Sequence, residues 1–93
     1  MNIRRKYEED PNYEMSSNDG KDYSLILYND DIHDFNFVIN SLIEICNHDE
    51  IQAEQCTYLV HYSGNCQIKR GKHNQLNRIK NELIEKGLTV EMI

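Results

Sequence analysis

The length, composition and charge of the chain limit what it can be. Its 93 residues, 39% of them apolar, suffice for one small domain with a modest core. The formal net charge of −6 argues against nucleic acid as a partner, because phosphate binding needs a basic surface.

The N-terminal residues 1–22 contain few apolar side chains and show no helix or strand period. We predict a flexible arm there. The basic start is not followed by an apolar segment, so it is not a secretory signal, and no apolar run approaches the ~20 residues that span a bilayer. Three cysteines, an odd number, suit a reducing compartment. We therefore predict a cytoplasmic protein that does not bind membranes.

A short apolar run, Tyr23–Tyr28, predicts the first strand, with Leu25 and Leu27 on one face. The run is apolar on both faces, which favours a central strand covered by helices on at least one face. It stops at Asn29-Asp30-Asp31, at the mouth of a strand-to-helix turn. Such loops, held by rigid elements on both sides, often contain binding groups.

Two helices are predicted next. Asp34 is a good N-cap for the first helix, and Asn47 and His48 end it. Asp49 and Gln52 form a capping-box pattern for the second, which runs to about Tyr62 before the stop at Gly64. The apolar positions at helical spacing are Phe35, Val38, Ile39, Leu42, Ile43 and Cys46 in the first helix, and Ala53, Cys56, Leu59 and Val60 in the second.

The last third of the chain predicts a strand, a helix and a strand. Residues 65–70 alternate as a half-exposed strand. A helix from Lys72 or His73 to Lys86 follows, with Leu76, Ile79, Leu83 and Ile84 on one face and Gly87 after its end. Residues 88–93 alternate again. The order β-α-α-β-α-β over residues 23–93 predicts one small α+β domain with three helices on a three-stranded antiparallel sheet.

The polar residues between the first strand and the first helix raise the possibility of a metal site. Asn29, Asp30, Asp31, His33 and Asp34 resemble an ion site in composition, but the spacing lacks the alternate ligands, Gly and distal Glu of a calcium loop. No Cys or His pair has zinc-site spacing. We therefore predict no metal and no cofactor.

A thiol site could be drawn from Cys56, His61 and Asp31. However, Cys56 lies on the apolar face of its helix, where free Cys is a small core residue, and no Gly-rich turn supplies an oxyanion hole. We predict that the protein is not an enzyme.

A cation site fits the polar residues better. Asn29 and Asp31 alternate around Asp30, so their side chains can point the same way at a strand end. An ammonium has three donors, and Asn29, Asp31 and neutral His61 offer three acceptors. The alternative is that residues 29–31 form only an Asx-type turn before the helix.

Three segments resemble the ClpS family, adaptors that deliver N-degron substrates to the Clp AAA+ protease. They are Leu-Tyr-Asn-Asp-Asp (27–31), Phe-x-Phe-Val-Ile (35–39) and Val-His-Tyr-Ser-Gly (60–64). The resemblance implies that Asn29, Asp31 and His61 hold the α-amino group of a substrate's first residue. It also implies a side-chain pocket for Leu, Phe, Tyr or Trp, lined by His33, Phe35, Val38, Thr57, Val60 and Leu88. The implied partner is a ClpA- or ClpC-like unfoldase, reached by the N-terminal arm.

The chain departs from the family pattern at three places. His33-Asp34-Phe35 stands where the family commonly has Thr-Pro-Met, and Thr57 where it has a larger apolar residue. Gln67–Arg70 follows Cys66 in place of Gly-Val-Phe, so the unfoldase-docking surface is not carried over. The alternatives to an N-degron adaptor are an interaction domain that docks on an AAA+ partner without binding N-degrons, and a small metal-dependent enzyme.

Overall fold

The computed structural model of the protein describes residues 20–93. The arm predicted for residues 1–22 therefore falls almost entirely outside the described residues. Within them the predicted order β-α-α-β-α-β is confirmed. The elements are β1 (Tyr23–Tyr28), α1 (Phe35–Cys46), α2 (Glu50–Ser63), β2 (Asn65–Gly71), α3 (His73–Glu85) and β3 (Thr89–Met92).

The sheet is built around β1. It has the order β2-β1-β3, and both neighbours run antiparallel to β1. Leu27 pairs with Cys66 on one side and with Val90 on the other. The register with β2 shifts between Leu25 and Ile26, which is a β-bulge or similar irregularity. The predicted central position of this apolar strand is confirmed.

The core lies between the helices and one face of the sheet. Leu25 and Leu27 of β1 are at most 1% exposed, and Leu42 of α1, Leu76 and Leu83 of α3 are fully buried. Ala53 of α2 is fully buried as well, so all three helices contribute to one core. The fold is therefore α+β, with three helices packed on a three-stranded antiparallel sheet.

The helix ends follow the predicted caps. The carboxylate of Asp34 accepts a hydrogen bond from the Phe37 backbone N–H at 2.9 Å, and that of Asp49 accepts from the Gln52 N–H at 2.7 Å. Gly64 ends α2 in the left-handed conformation, with φ of 97°. Asn47 ends α1 in the same region.

Two predicted core positions are wrong. Leu59 is 50% exposed and Ile84 is 47% exposed. Consecutive helical residues point about 100° apart, and of the neighbours Leu59 and Val60 it is Val60 that faces the core. The same geometry separates Ile84 from the buried Leu83 on α3.

Candidate functional site

The end of β1 meets the end of α2 at one corner of the fold. The backbone N–H of Asn29 donates to the carbonyl of Gly64 at 2.9 Å. Gly64 caps α2 three residues after His61, so this bond brings Asn29 to the helix end that carries His61. Two predicted site residues that are distant in sequence thus lie at the same corner.

Asp30 organises the turn between β1 and α1. Its Oδ1 accepts from the backbone N–H groups of Ile32 and His33, both at 2.9 Å, and its Oδ2 lies 3.1 Å from His33 Nδ1. Burial raises the pKa of the Asp30 carboxyl, but the hydrogen bonds from His33 and Ile32 outweigh it and the net pKa is lowered. An Asx-type turn, which was the alternative interpretation of residues 29–31, is therefore present, and Asp30 makes it.

The residues on either side of Asp30 remain available. Asn29 and Asp31 are both exposed. Within residues 20–93, no hydrogen bond or ion pair involves either side chain. The turn thus leaves one amide and one carboxylate able to accept hydrogen bonds from a ligand.

His33 joins the turn to the far end of α3. Its ring stacks on Phe37 with centroids 4.7 Å apart. It also lies against Gly87, where a Cβ atom would come within 3.1 Å of His33 Nε2. Gly87 is followed by Leu88, which is only 4% exposed. His33 therefore lies against the turn between α3 and β3, one residue before Leu88.

Four rings form an aromatic cluster on α1 and α2: Phe35, Tyr58, His61 and Tyr62. Phe35 makes edge contacts with Tyr58 and His61, with centroids 5.0 and 5.1 Å apart. Tyr62 contacts His61 at 4.7 Å and stacks on Tyr58 at 5.8 Å. Sequence analysis did not place Tyr58 or Tyr62 in the site. Their spacing with His61, at i, i+3 and i+4 of one helix, is a signal that could have indicated it.

The remaining predicted pocket residues are buried. Val38, Thr57, Val60 and Leu88 are each no more than 9% exposed. The Thr57 hydroxyl donates to the Ala53 carbonyl at 2.8 Å, so it is satisfied within its own helix. The buried residues therefore add no unpaired hydroxyl to the site.

Two concavities of the described structure lie elsewhere. One of about 410 Å³ is lined by Glu44, Ile45, Glu82, Glu85 and Lys86, between α1 and α3. The other, of about 290 Å³, is formed by the α1–α2 loop and β2. Neither includes a predicted site residue. The candidate site is therefore not one of these two concavities. It lies at the surface, where Asn29, Asp31 and His61 are exposed.

The comparisons with known proteins decide the family. A family profile described as "ATP-dependent Clp protease adaptor protein ClpS" matches residues 18–91. The chain belongs to the ClpS family. This confirms the resemblance carried by the three sequence motifs, and it means that the family role is that of an adaptor of the Clp protease.

One solved structure shows the likeness in fold. The structure of Agrobacterium tumefaciens ClpS2 bound to L-phenylalaninamide matches with a TM-score of 0.67 and 19% sequence identity. The match covers 78% of this chain and 95% of that chain. At this identity the similarity is one of fold. No curated protein sequence matches this ClpS-family chain.

Other features of this ClpS-family chain concern metal, thiol chemistry and membranes. Residues 20–93 contain no group of three or more His, Cys, Asp or Glu side chains placed to hold a metal ion. Cys46, Cys56 and Cys66 are free and buried. Burial raises the pKa of Cys46 to about 11 and that of Cys56 to about 12. No helix in the described part of the chain is long and apolar enough to cross a membrane.

Proposed function

We propose that this ClpS-family chain is an N-degron adaptor acting in the cytoplasm. It binds the free N-terminal Leu, Phe, Tyr or Trp of a substrate and delivers that substrate to a ClpA- or ClpC-like unfoldase. The main support is the hydrogen bond from Asn29 to Gly64, which brings the β1 turn to the end of α2 beside His61.

The amino group is held by three acceptors. A terminal ammonium has three donors, and Asn29, Asp31 and neutral His61 each supply one acceptor. Asp30 cannot take this role without giving up the bonds that hold the turn. Hydrogen bonds to charged groups contribute ~1.5–3 kcal/mol each before the cost of association. The negative net charge of the chain favours a cationic ligand as well.

The first side chain packs beside this clamp. In this proposal the half-buried Phe35 and His33 form the rim of its pocket, and the buried residues Val38, Thr57, Val60 and Leu88 form the floor. Burying a Leu or Phe side chain contributes ~1.5–3 kcal/mol. The binding free energy that remains after the cost of association corresponds to a Kd of roughly micromolar. Binding of this strength allows a carrier to release its substrate.

Phe35 and Thr57 adjust which first residue fits best. Compared with the ClpS family pattern, the side chain is larger at position 35 and smaller at position 57. The summed side-chain volume of the two positions stays similar. We therefore expect a shifted order of preference among Leu and the aromatic residues. A set of peptides that differ only in the first residue measures this order by fluorescence polarisation.

The deciding experiment compares a Leu-initiated peptide with its N-acetylated form. We expect binding only by the free-amine peptide, and a loss of about tenfold or more for Asp31→Ala, because one charge-assisted bond is removed. Glu50→Ala is the matched control, since it removes one exposed carboxylate at the opposite end of α2 from His61. Equal binding of the acetylated peptide would contradict the proposal. It would favour an interaction domain that docks on an AAA+ partner without reading N-termini.

A further inference from the structure

The aromatic cluster extends past the clamp onto the outer surface of α2. Its four contacts form a closed circuit, from Phe35 to Tyr58, Tyr62, His61 and back. Phe35 is half-buried, whereas Tyr58 is 51% and Tyr62 is 73% exposed. The rim of the candidate site is therefore continued by two large exposed rings.

These two tyrosines contribute little to the core of the fold. Neither hydroxyl takes part in a hydrogen bond within residues 20–93. The two rings are nearly parallel, at 10°, with centroids 5.8 Å apart. Adjacent exposed apolar side chains of this size commonly mark an interaction site.

We propose that Tyr58 and Tyr62 form a subsite for the third residue of the substrate and that this subsite prefers an aromatic side chain. This inference rests on the function proposed above, because it takes the first side chain to pack against Phe35 with its α-amino group held at His61. It adds a second determinant to the substrate class, namely an aromatic residue at position three.

The spacing of an extended peptide selects the third residue. Successive side chains of an extended chain point to opposite sides and advance ~3.3 Å per residue. With the first side chain packed against Phe35, beside the amino group held at His61, the second points away from the protein, and the third returns to the surface ~6.6 Å further on. Tyr58 lies 5.0 Å from Phe35, and Tyr62 lies 4.7 Å from His61, measured between ring centroids. The tyrosines are thus within reach of the third side chain.

The shape of the surface favours an aromatic occupant. The exposed faces and edges of two tyrosines allow the offset or edge-to-face packing that aromatic pairs prefer. Such pairs change an equilibrium by about two- to tenfold beyond simple area burial. The second residue provides an internal comparison, because its side chain is expected to face solvent.

The test varies positions two and three behind a constant first Leu. Free-amine peptides beginning Leu-Ala-Ala, Leu-Phe-Ala, Leu-Ala-Phe and Leu-Ala-Arg are titrated against the full chain by fluorescence polarisation. We expect Leu-Ala-Phe to bind about two- to tenfold more tightly than Leu-Ala-Ala, and Leu-Phe-Ala to match Leu-Ala-Ala.

Variants assign the effect to the rings. Tyr58→Leu keeps apolar bulk but removes the flat ring, and together with Tyr62→Ala it should bring Leu-Ala-Phe down to the affinity of Leu-Ala-Ala. Ile32→Ala is the matched control, because Ile32 is a large apolar side chain that is 83% exposed and lies outside the aromatic cluster. Thermal unfolding followed by circular dichroism verifies that each variant is folded.

The outcomes separate the two proposals. Amine-dependent binding that is indifferent to position three overturns the subsite and leaves the adaptor function standing. The subsite is also overturned if the tighter binding of Leu-Ala-Phe is lost in Ile32→Ala but kept in the tyrosine variants. It is overturned as well if Leu-Ala-Arg binds as tightly as Leu-Ala-Phe or more tightly, because that would indicate charge recognition. Failure of all free-amine peptides to bind overturns both proposals.

Discussion

Asp30 holds the turn between β1 and α1 through three contacts, with the backbone of Ile32 and the backbone and ring of His33. Its neighbours Asn29 and Asp31 are left exposed. Sequence analysis assigned no role to Asp30, because three consecutive polar residues give no local signal of which one turns inward. That choice depends on where His33 is held by Phe37 and Gly87, which is a tertiary property.

The lowered pKa of Asp30 predicts a pH dependence of stability. A group whose pKa is lower in the folded state stabilises the fold above its ordinary pKa of 3.8 and loses that contribution as pH falls below it. Asp30→Asn should therefore lower the free energy of unfolding by about 1 kcal/mol at pH 7, with a smaller difference near pH ~3. Urea unfolding at the two pH values measures it.

Asp31→Asn is the control for that comparison. Its side chain has no hydrogen-bond or ion-pair partner within residues 20–93, so the unfolding free energy should change little at either pH. An Asp30→Asn variant that is as stable as the wild type at pH 7 would show that the charged bonds to His33 and Ile32 contribute nothing.

The positions of the helices could be predicted from local sequence. The set of residues that each helix buries could be predicted only in part. Caps depend on residues within one turn, so Asp34 and Asp49 predicted the starts of α1 and α2 correctly. Leu59 was expected in the core but is half exposed, whereas the polar Thr57 is buried, with its hydroxyl satisfied by the Ala53 carbonyl of the preceding turn. Tyr58 and Tyr62 were missed as part of the site, because their neighbour Phe35 comes from another helix.

The N-cap of α1 has a testable energetic role. Asp34→Ala removes the acceptor for the Phe37 N–H and should lower the free energy of unfolding by about 1 kcal/mol, whereas Asp34→Ser should restore most of it. Chemical denaturation of the three proteins under one condition gives the comparison. Equal losses for Ala and Ser would mean that the cap bond is not the source of the effect.

The end of α2 depends on the backbone of Gly64. Its φ of 97° lies in the left-handed region, and a Cβ atom there would meet no other atom within 4 Å. Gly64→Ala should therefore cost about 1–2 kcal/mol through backbone conformation alone. Thermal or urea unfolding measures the cost.

Gly71→Ala is the comparison for that variant. An added Cβ at this position would come 2.6 Å from the terminal oxygen of the exposed, flexible Gln75 side chain, which can move aside. We expect a smaller loss than at Gly64. The reverse order would show that contacts outweigh backbone conformation at these two glycines.

At the scale of the whole molecule, one core joins all three helices to one face of the sheet. Cys46, Cys56 and Cys66 come from α1, α2 and β2, and all three are buried in this core. The structure places them among packing residues, as the position of Cys56 on the apolar face of its helix predicted. The overall architecture was predictable because the apolar periods of the helices and strands are consistent with a single fold.

The buried thiols report on global unfolding. Burial raises the pKa of Cys46 to about 11 and that of Cys56 to about 12, so the reactive thiolate is scarce in the folded protein. We expect slow labelling by a disulfide reagent at pH 8, and rapid labelling of all three thiols in urea. The labelling rate should follow the fraction unfolded. Fast reaction of any thiol under native conditions would contradict this.

The central position of β1 also determines when the site can exist during folding. β1 pairs with β2 and β3, which come from much later parts of the chain, as in the pair Leu25 and Met92. Sheets made of such non-local pairings form slowly compared with helices, because distant segments must first meet. The helices can form early, but the turn that presents Asn29 and Asp31 is fixed only when β1 is bonded on both sides. Backbone amides of β1 should accordingly be among the last to exchange with deuterium, and substrate binding should appear with the final step of folding.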